Sequence, residues 1–318
     1  MSSSAIESPS FFLRDGTAHP AIGFGTYKVG FVPASATAAA TESAPQRSAR
    51  ECVKDALDVG YRLLECAEFY GNEDQVGLAI QDAGVNRKDL FLVSKVWTTT
   101  IEKGPDAVAA QLEKTLRDLQ TDYLDLYLIH WPVPQHHVEA YKKLVELKAA
   151  GKIKNIGVSN YAWEDYLELK EAGIMDLPAV NQIEINPFLY RMNTIQKFQQ
   201  EGVVMQSYRS LRDGKQMEND VLLDVASHYP NKTVAQILGR WCIQKGFVYI
   251  PKSVKKSRMI ENAQVFDFVL SKEDMTRLDA LTTTDNLDAF QELYRKCVNR
   301  DTSKAGTMEG VKMDITLD

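Results

Sequence analysis

Apolar runs of strand length recur along the chain, separated by stretches in which apolar residues fall every three or four positions. The runs are "AIGFGTY", "YRLLECA", "LFLVSKV", "LDLYLIH", "IKNIGVS", "VNQIEI", "VVMQSY" and "FVYIPKS". Runs of this length, bounded by turn residues, read as buried strands. Residues 105–120 carry the clearest helical stripe, through Val108, Leu112, Leu116 and Leu119, with Pro105 suited to the first turn. Residues 138–150 repeat it through Val138, Tyr141, Leu144 and Val145 and stop at Gly151. Val234, Ile237, Leu238 and Trp241 do so again before Gly246. Alternating strands and helices imply parallel pairing through right-handed crossovers. Eight such units predict an α/β chain closed as a (β/α)8 TIM barrel. Ahead of them, Asp15-Gly16 between two short apolar runs predicts an N-terminal β-hairpin, placed at the barrel bottom.

No second domain is visible. Residues 1–318 read as one unit, with a barrel core over about 20–285 and a weakly periodic tail, 286–318, suited to wrapping the mouth. Segment 31–48, rich in Ala, Ser, Thr and Pro, reads as a loop between the first strand and first helix. It either overhangs the active face or is an insertion without consequence. The 318 residues are 44% hydrophobic and 25% charged, which is globular composition. A net charge of −6 argues against a nucleic-acid or anionic-membrane surface. "MSSSAIESPS" lacks the basic and apolar segments of a secretion signal, and no apolar run reaches membrane-spanning length. The four cysteines lack metal-ligand spacing. A cytoplasmic protein with reduced thiols and no metal is expected.

In a barrel, chemistry sits where strands end and the following loops begin. Polar residues gather there: Tyr27 after the first run, Glu65 and Tyr70 after the second, Lys95 after the third, His130 and Trp131 after the fourth. Ser159 and Asn160 follow the fifth, Gln182 lies on the sixth, Tyr208 ends the seventh, and Lys252 and Ser253 end the eighth. Taken singly, each has a plainer reading: Tyr70 as packing, His130 as a core histidine, Lys95 as a solvated strand end, Glu65 as a cap. Their convergence favours proton transfer. A phenol with a pKa of about 10 is a weak acid, and a lysine beside it favours the phenolate. A carboxylate can hold that lysine charged, and a histidine can hydrogen-bond the substrate oxygen.

"YIPKSVKKSRMIEN" places Lys252, Lys255, Lys256 and Arg258 directly before a helical stretch after the eighth strand. Barrels bind phosphate there, at a helix N-terminus. Lysine with arginine suits a 2′-phosphate, hence NADP rather than NAD. The Rossmann fingerprint is absent, since "GFGTYKVG" has Lys28 where the third glycine belongs.

Together these motifs resemble the aldo-keto reductases, in the family's order, over roughly residues 11–285. They are "GFGTY", "GYRLLECAEFYGNE", "LFLVSKVW", "LDLYLIHWP", "KIKNIGVSN", "VNQIEINP" and "IPKSVKKSRMIEN". The resemblance implies NADPH/NADP+ as cofactor and transfer of the pro-R hydride to a small carbonyl substrate. It implies Tyr70 as proton donor, Lys95 as its partner and His130 as the residue orienting substrate. Ser159, Asn160 and Gln182 match residues on the nicotinamide carboxamide, and Tyr208 the ring that stacks on it. Lys252, Ser253, Arg258, Glu261 and Asn262 match the surroundings of the adenosine and its 2′-phosphate. Gly25, Thr26, Tyr27, Arg209, Ser210, Leu211 and Val254 fall along the dinucleotide in the same comparison. Tyr27, Trp97, His130 and Trp131 would wall the substrate pocket, and a monomer is implied.

The departures are specific. Glu65 stands where the family has aspartate, one methylene longer, and is expected to reach Lys95 without needing to bond Tyr70. Arg209 stands where a small residue is usual beside the pyrophosphate. "PVPQHHVEA" is a short loop, which predicts an open pocket. Reduction of aldehydes or ketones, of the aldehyde reductase (alcohol dehydrogenase [NADP+]) type, is the leading expectation. An NADPH-binding sensor of the same fold with little turnover stands beside it because of Glu65. An unrelated phosphate-binding barrel would leave Gln182 and "GVSN" as coincidences.

Overall fold

Asp15 and Gly16 turn the chain between β1 (Ser10–Phe12) and β2 (Ala18–Pro20), which pair antiparallel with Phe11 opposite His19. The turn forms because the Asp15 carboxylate accepts from the Thr17 amide at 2.9 Å while Gly16 takes φ +83°. The computed structural model describes residues 4–30 and 47–312. The expectation for 31–48 therefore falls almost wholly outside the described residues.

Eight parallel strands follow in order: β3 (Phe24–Gly25), β4 (Leu63–Glu65), β5 (Phe91–Val96), β6 (Leu124–Ile129), β7 (Ile153–Ser159), β8 (Val180–Glu184), β9 (Val204–Tyr208) and β10 (Val248–Tyr249). The last closes on the first. Ile22 bridges Tyr249 in parallel, the Tyr249 amide donates to Ala21 O at 2.8 Å, and the Gly23 amide donates to Tyr249 O at 2.9 Å. The (β/α)8 barrel expected from the pattern is what forms. The first and last strands are much shorter than their apolar runs, because beyond them the chain turns to loop contacts: the Thr26 amide and hydroxyl both donate to Glu65 O at 3.0 Å.

Crossovers are made by α1 (Ala49–Val59), α2 (Glu73–Ala83), α3 (Thr98–Glu102) with α4 (Pro105–Leu119), α5 (His137–Ala149), α6 (Trp163–Glu171), α7 (Met192–Gln200), and α8 (Asp220–Ser227) with α9 (Val234–Gln244). After β10 come α10 (Lys256–Ala263), α11 (Lys272–Asp279) and α12 (Thr284–Cys297). Local chemistry sets their ends. Ser48 and Glu51 form a capping box on α1, and Gly60 stops it at φ +113°, where a Cβ would lie 2.7 Å from Ser4 O. Among the described residues, no helix is long and apolar enough to cross a membrane.

Strand alternation divides the core into two shells. Leu63, Phe91, Val93, Leu126, Leu128, Val180 and Val248 fill the barrel interior, sealed below by Leu13 of the hairpin. Leu64, Leu92, Tyr127, Ile129 and Ile183 belong instead to the larger cluster that packs with the helices. The same period of two that puts Phe91 and Val93 inside puts Lys95 inside one layer higher. Gln182 and Gln206, partners in the β8–β9 register, face inward above Val180 and Val204 in the same way.

Candidate active site

Glu65 ends β4, and a 3-10 turn over Glu68–Tyr70 brings the chain back so that Tyr70 lies over the strand end. Lys95 is fully buried and can be tolerated only with partners. It has three: its ammonium donates to the Glu65 carboxylate, to Cys66 O at 2.9 Å and to the Tyr70 hydroxyl at 2.8 Å. Tyr70 in turn donates to Glu65 Oε1 at 3.0 Å. The longer carboxylate reaches Lys95 as expected and, beyond what that expectation required, also accepts from Tyr70. Burial lifts the Tyr70 phenol well above its ordinary range, and the Glu65 charge lifts it further. Burial also draws the Lys95 ammonium down, while Glu65 pulls it back up. The expected lowering of the phenol by Lys95 is therefore outweighed by burial and by the glutamate, and Tyr70 is a protonated donor at neutral pH.

His130, at the end of β6, is buried, and its Nδ1 has no hydrogen-bond partner among the described residues. Burial, with Lys95 adding to it, holds the imidazole well below its usual pKa and hence neutral. Its ring lies 5.9 Å from Tyr70 and 4.9 Å from Trp97, edge to face with both. Tyr27 packs at 5.1 Å from Tyr70, and Phe69 stacks at 4.0 Å on Trp97. The tail covers this wall. Phe290, Tyr294 and Leu287 of α12 cluster with Trp97 and Trp131, and Trp97 Nε1 donates to Asp301 at 3.2 Å. Phe69, Phe290, Tyr294 and Asp301 were not anticipated; the i, i+3, i+7 spacing of Leu287, Phe290 and Tyr294 was the available signal.

A second group lies beside the first. The Ser159 hydroxyl donates to Gln182 O at 2.7 Å, and Asn160, in the left-handed region at φ +58°, donates to His130 O at 3.0 Å. The Tyr208 hydroxyl donates to Asn160 Oδ1 at 2.7 Å. Past Tyr208, Arg209 is committed to Glu184 and Asp213, each at 2.9 Å. Ser210 turns its hydroxyl inward to Ser207 at 2.6 Å, and Leu211 is half-buried. At the barrel's closing edge, Ser253 Oγ accepts from the Lys255 amide at 3.0 Å and sets up the start of α10. Lys256 pairs with Asp55 at 3.1 Å, whereas Lys252, Lys255 and Arg258 are exposed with no carboxylate in ion-pair range among the described residues. Glu261 accepts from Thr233 at 2.6 Å, Asn262 is buried and Val254 is exposed.

The arrangement suits a dinucleotide with a 2′-phosphate. Cations without an ion-pair partner among the described residues lie at a helix N-terminus at one end, and amide and hydroxyl groups able to hydrogen-bond a carboxamide lie beside Tyr208 at the other. A Cβ on Gly25 would come to 3.5 Å from Glu65 Oε2, Thr26 donates to Glu65 O at 3.0 Å, and Tyr27 packs against Tyr70. Among the described residues, no cluster of His, Cys, Asp and Glu could hold a metal.

Comparison with known proteins agrees with this picture. The sequence profile of the Aldo/keto reductase family matches residues 21–283. The chain is 41% identical over 270 residues to a glyoxal reductase of Bacillus subtilis (strain 168), covering 85% of this chain and 91% of that protein. It is 37% identical over 279 residues to the methylglyoxal reductase DkgA of Escherichia coli (strain K12), covering 85% and 92%. The solved structure of a Bombyx mori aldo-keto reductase in complex with NADP superposes with TM-score 0.78 at 29% identity, covering 87% and 94%.

Proposed function

The chain belongs to the aldo/keto reductase family, and from that premise we propose that it reduces small reactive aldehydes and α-dicarbonyls with NADPH. The observation that carries this is the buried Glu65–Lys95–Tyr70 triad beside a neutral His130. When bound, NADPH supplies the hydride. Tyr70 gives its proton to the carbonyl oxygen as negative charge develops there, and Lys95 stabilises the phenolate left behind. His130 donates a hydrogen bond that orients the same oxygen. Trp97, Trp131 and Tyr27 shape the pocket and exclude water. Ser159, Asn160 and Gln182 hold the nicotinamide carboxamide, Tyr208 stacks on its ring, and Lys252 and Arg258 hold the 2′-phosphate. The substrate class is supported by the named activities of the bacterial relatives. We take the enzyme to act in the cytoplasm as a single-domain monomer, without nucleic-acid or membrane partners.

An NADPH-binding sensor with little turnover draws on one observation: the Tyr70 proton is donated to Glu65, away from any substrate. NADPH oxidation with methylglyoxal separates the two. Steady turnover is expected, with NADPH preferred over NADH by about 100-fold, since two charge-assisted hydrogen bonds each contribute roughly 1.5–3 kcal/mol. Arg258→Ala should weaken NADPH far more than NADH. Equal loss for both cofactors would remove Arg258 from the phosphate site, and absence of turnover would favour the sensor.

A further inference from the structure

A line of polar side chains crosses the mostly apolar interior of the barrel below the site. Gln182, Gln206 and His19 run from the carboxamide end of the site to the floor, and all three are buried. Their contacts form a chain: Gln182 Nε2 to Gln206 Oε1 at 2.9 Å, Gln206 Nε2 to His19 Nε2 at 2.6 Å, and His19 Nδ1 to Pro20 O at 2.9 Å. Three polar groups in a barrel core are costly unless each is satisfied, so the line calls for a purpose.

Its polarity follows from its lower end. Pro20 O can only accept, so His19 Nδ1 must carry the proton. Burial holds the imidazole neutral, with its pKa lowered to about 4, so Nε2 is left as an acceptor. The group that meets it must then be the NH2 of Gln206, which turns the Gln206 oxygen toward β8. That oxygen takes the NH2 of Gln182. Gln182 Oε1 is the one group of its side chain outside the line. Reversing Gln206 alone would set its oxygen against His19 Nε2, reversing Gln182 alone would set two amide oxygens together, and reversing the whole line would set His19 Nδ1 as an acceptor against Pro20 O.

We propose that His19 and Gln206 are positioning residues that fix the hydrogen-bond polarity of Gln182, so that Oε1 accepts from the carboxamide NH2 of a bound nicotinamide. The inference rests on the cofactor reading above for the nicotinamide, and on these three contacts for the polarity. It makes the hairpin floor part of the cofactor site. A histidine at the base of the barrel thereby selects one of the two ways round that the carboxamide can sit.

Two measurements test it. In the parent protein labelled with 15N-histidine, long-range nitrogen–proton NMR should show His19 as the neutral Nδ1–H tautomer. The Nε2–H tautomer would overturn the proposal while leaving the cofactor reading intact. Dissociation constants are then compared for NADP+ and its 3-acetylpyridine analogue, in which a methyl group replaces the NH2. The parent should bind the analogue roughly tenfold more weakly, the worth of about one hydrogen bond. In His19→Leu and Gln206→Leu that discrimination should shrink toward unity, and His19→Gln, which can still accept from Gln206, should restore it. An unchanged ratio, or equal weakening of both nucleotides, would mean that His19 is only structural. Failure of the parent to bind either nucleotide would overturn this proposal together with the cofactor reading.

Discussion

At the scale of single residues, Glu65 decides how the proton is held. Its carboxylate meets both the Lys95 ammonium and the Tyr70 hydroxyl, so it compensates one charge and competes for one proton. Compensation matters more, because a buried lysine without a carboxylate tends to lose its proton and could not then stabilise a phenolate. Glu65→Gln is therefore expected to lower kcat for methylglyoxal by at least about tenfold, and Lys95→Met by more. Glu65→Asp withdraws the carboxylate by one methylene, releasing Tyr70 while keeping a charge near Lys95, and should leave kcat near the parent value or above it. Steady-state kinetics of the three variants check this. Parent-like reduction by Glu65→Gln would remove the carboxylate from the mechanism, and activity that appears only in Glu65→Asp would favour the sensor.

At the scale of elements, β5 serves two sides of the sheet. Lys95 faces the site, and the neighbouring Ser94 faces outward, where its hydroxyl donates to Glu73 Oε1 at 2.6 Å; Thr115 of α4 donates to the other oxygen at 2.9 Å. Burial nonetheless lifts the Glu73 carboxyl from 4.5 to about 7. The unfolded chain ionises Glu73 first, so its contribution to stability is fully present below about 4.5 and is lost as pH rises through about 7. The loss amounts to about 3 kcal/mol. Urea unfolding at pH 5 and pH 8 should show a fall in the parent that Glu73→Gln largely removes, whatever that variant's absolute stability; equal slopes would refute the burial argument. Strands and crossover helices such as β5 and α4 were legible because each carries its own period. The helix α12 was legible only as weak periodicity in a tail suited to wrapping the mouth, because its apolar face gains its meaning against Trp97 and Trp131, which arrive from other loops.

Over the whole molecule, a floor, a barrel and a cap act on one mouth. The floor reaches Gln182 through His19 and Gln206, the strand ends bring Glu65, Lys95 and Tyr70 together, and the tail closes over Trp97 and Trp131. The convergence of Glu65, Tyr70, Lys95 and His130 was legible in the sequence, since barrel topology sends every strand end to the same face and each of them ends or follows a strand. Three features were not: the double contact of Glu65, the burial that raises the Tyr70 phenol, and the Gln206–His19 line. Each depends on which atoms meet across the barrel, information that no single segment holds. In an acidic chain of net charge −6, the exposed Lys252, Lys255 and Arg258 also concentrate positive charge where an anionic cofactor would dock. The central claim is that Tyr70 gives the proton. Single-turnover oxidation of bound NADPH by saturating methylglyoxal, followed in the parent and in Tyr70→Phe, tests it most directly. The account predicts unchanged NADPH affinity and a rate at least about 100-fold lower in the variant; reduction by Tyr70→Phe at the parent rate would contradict it.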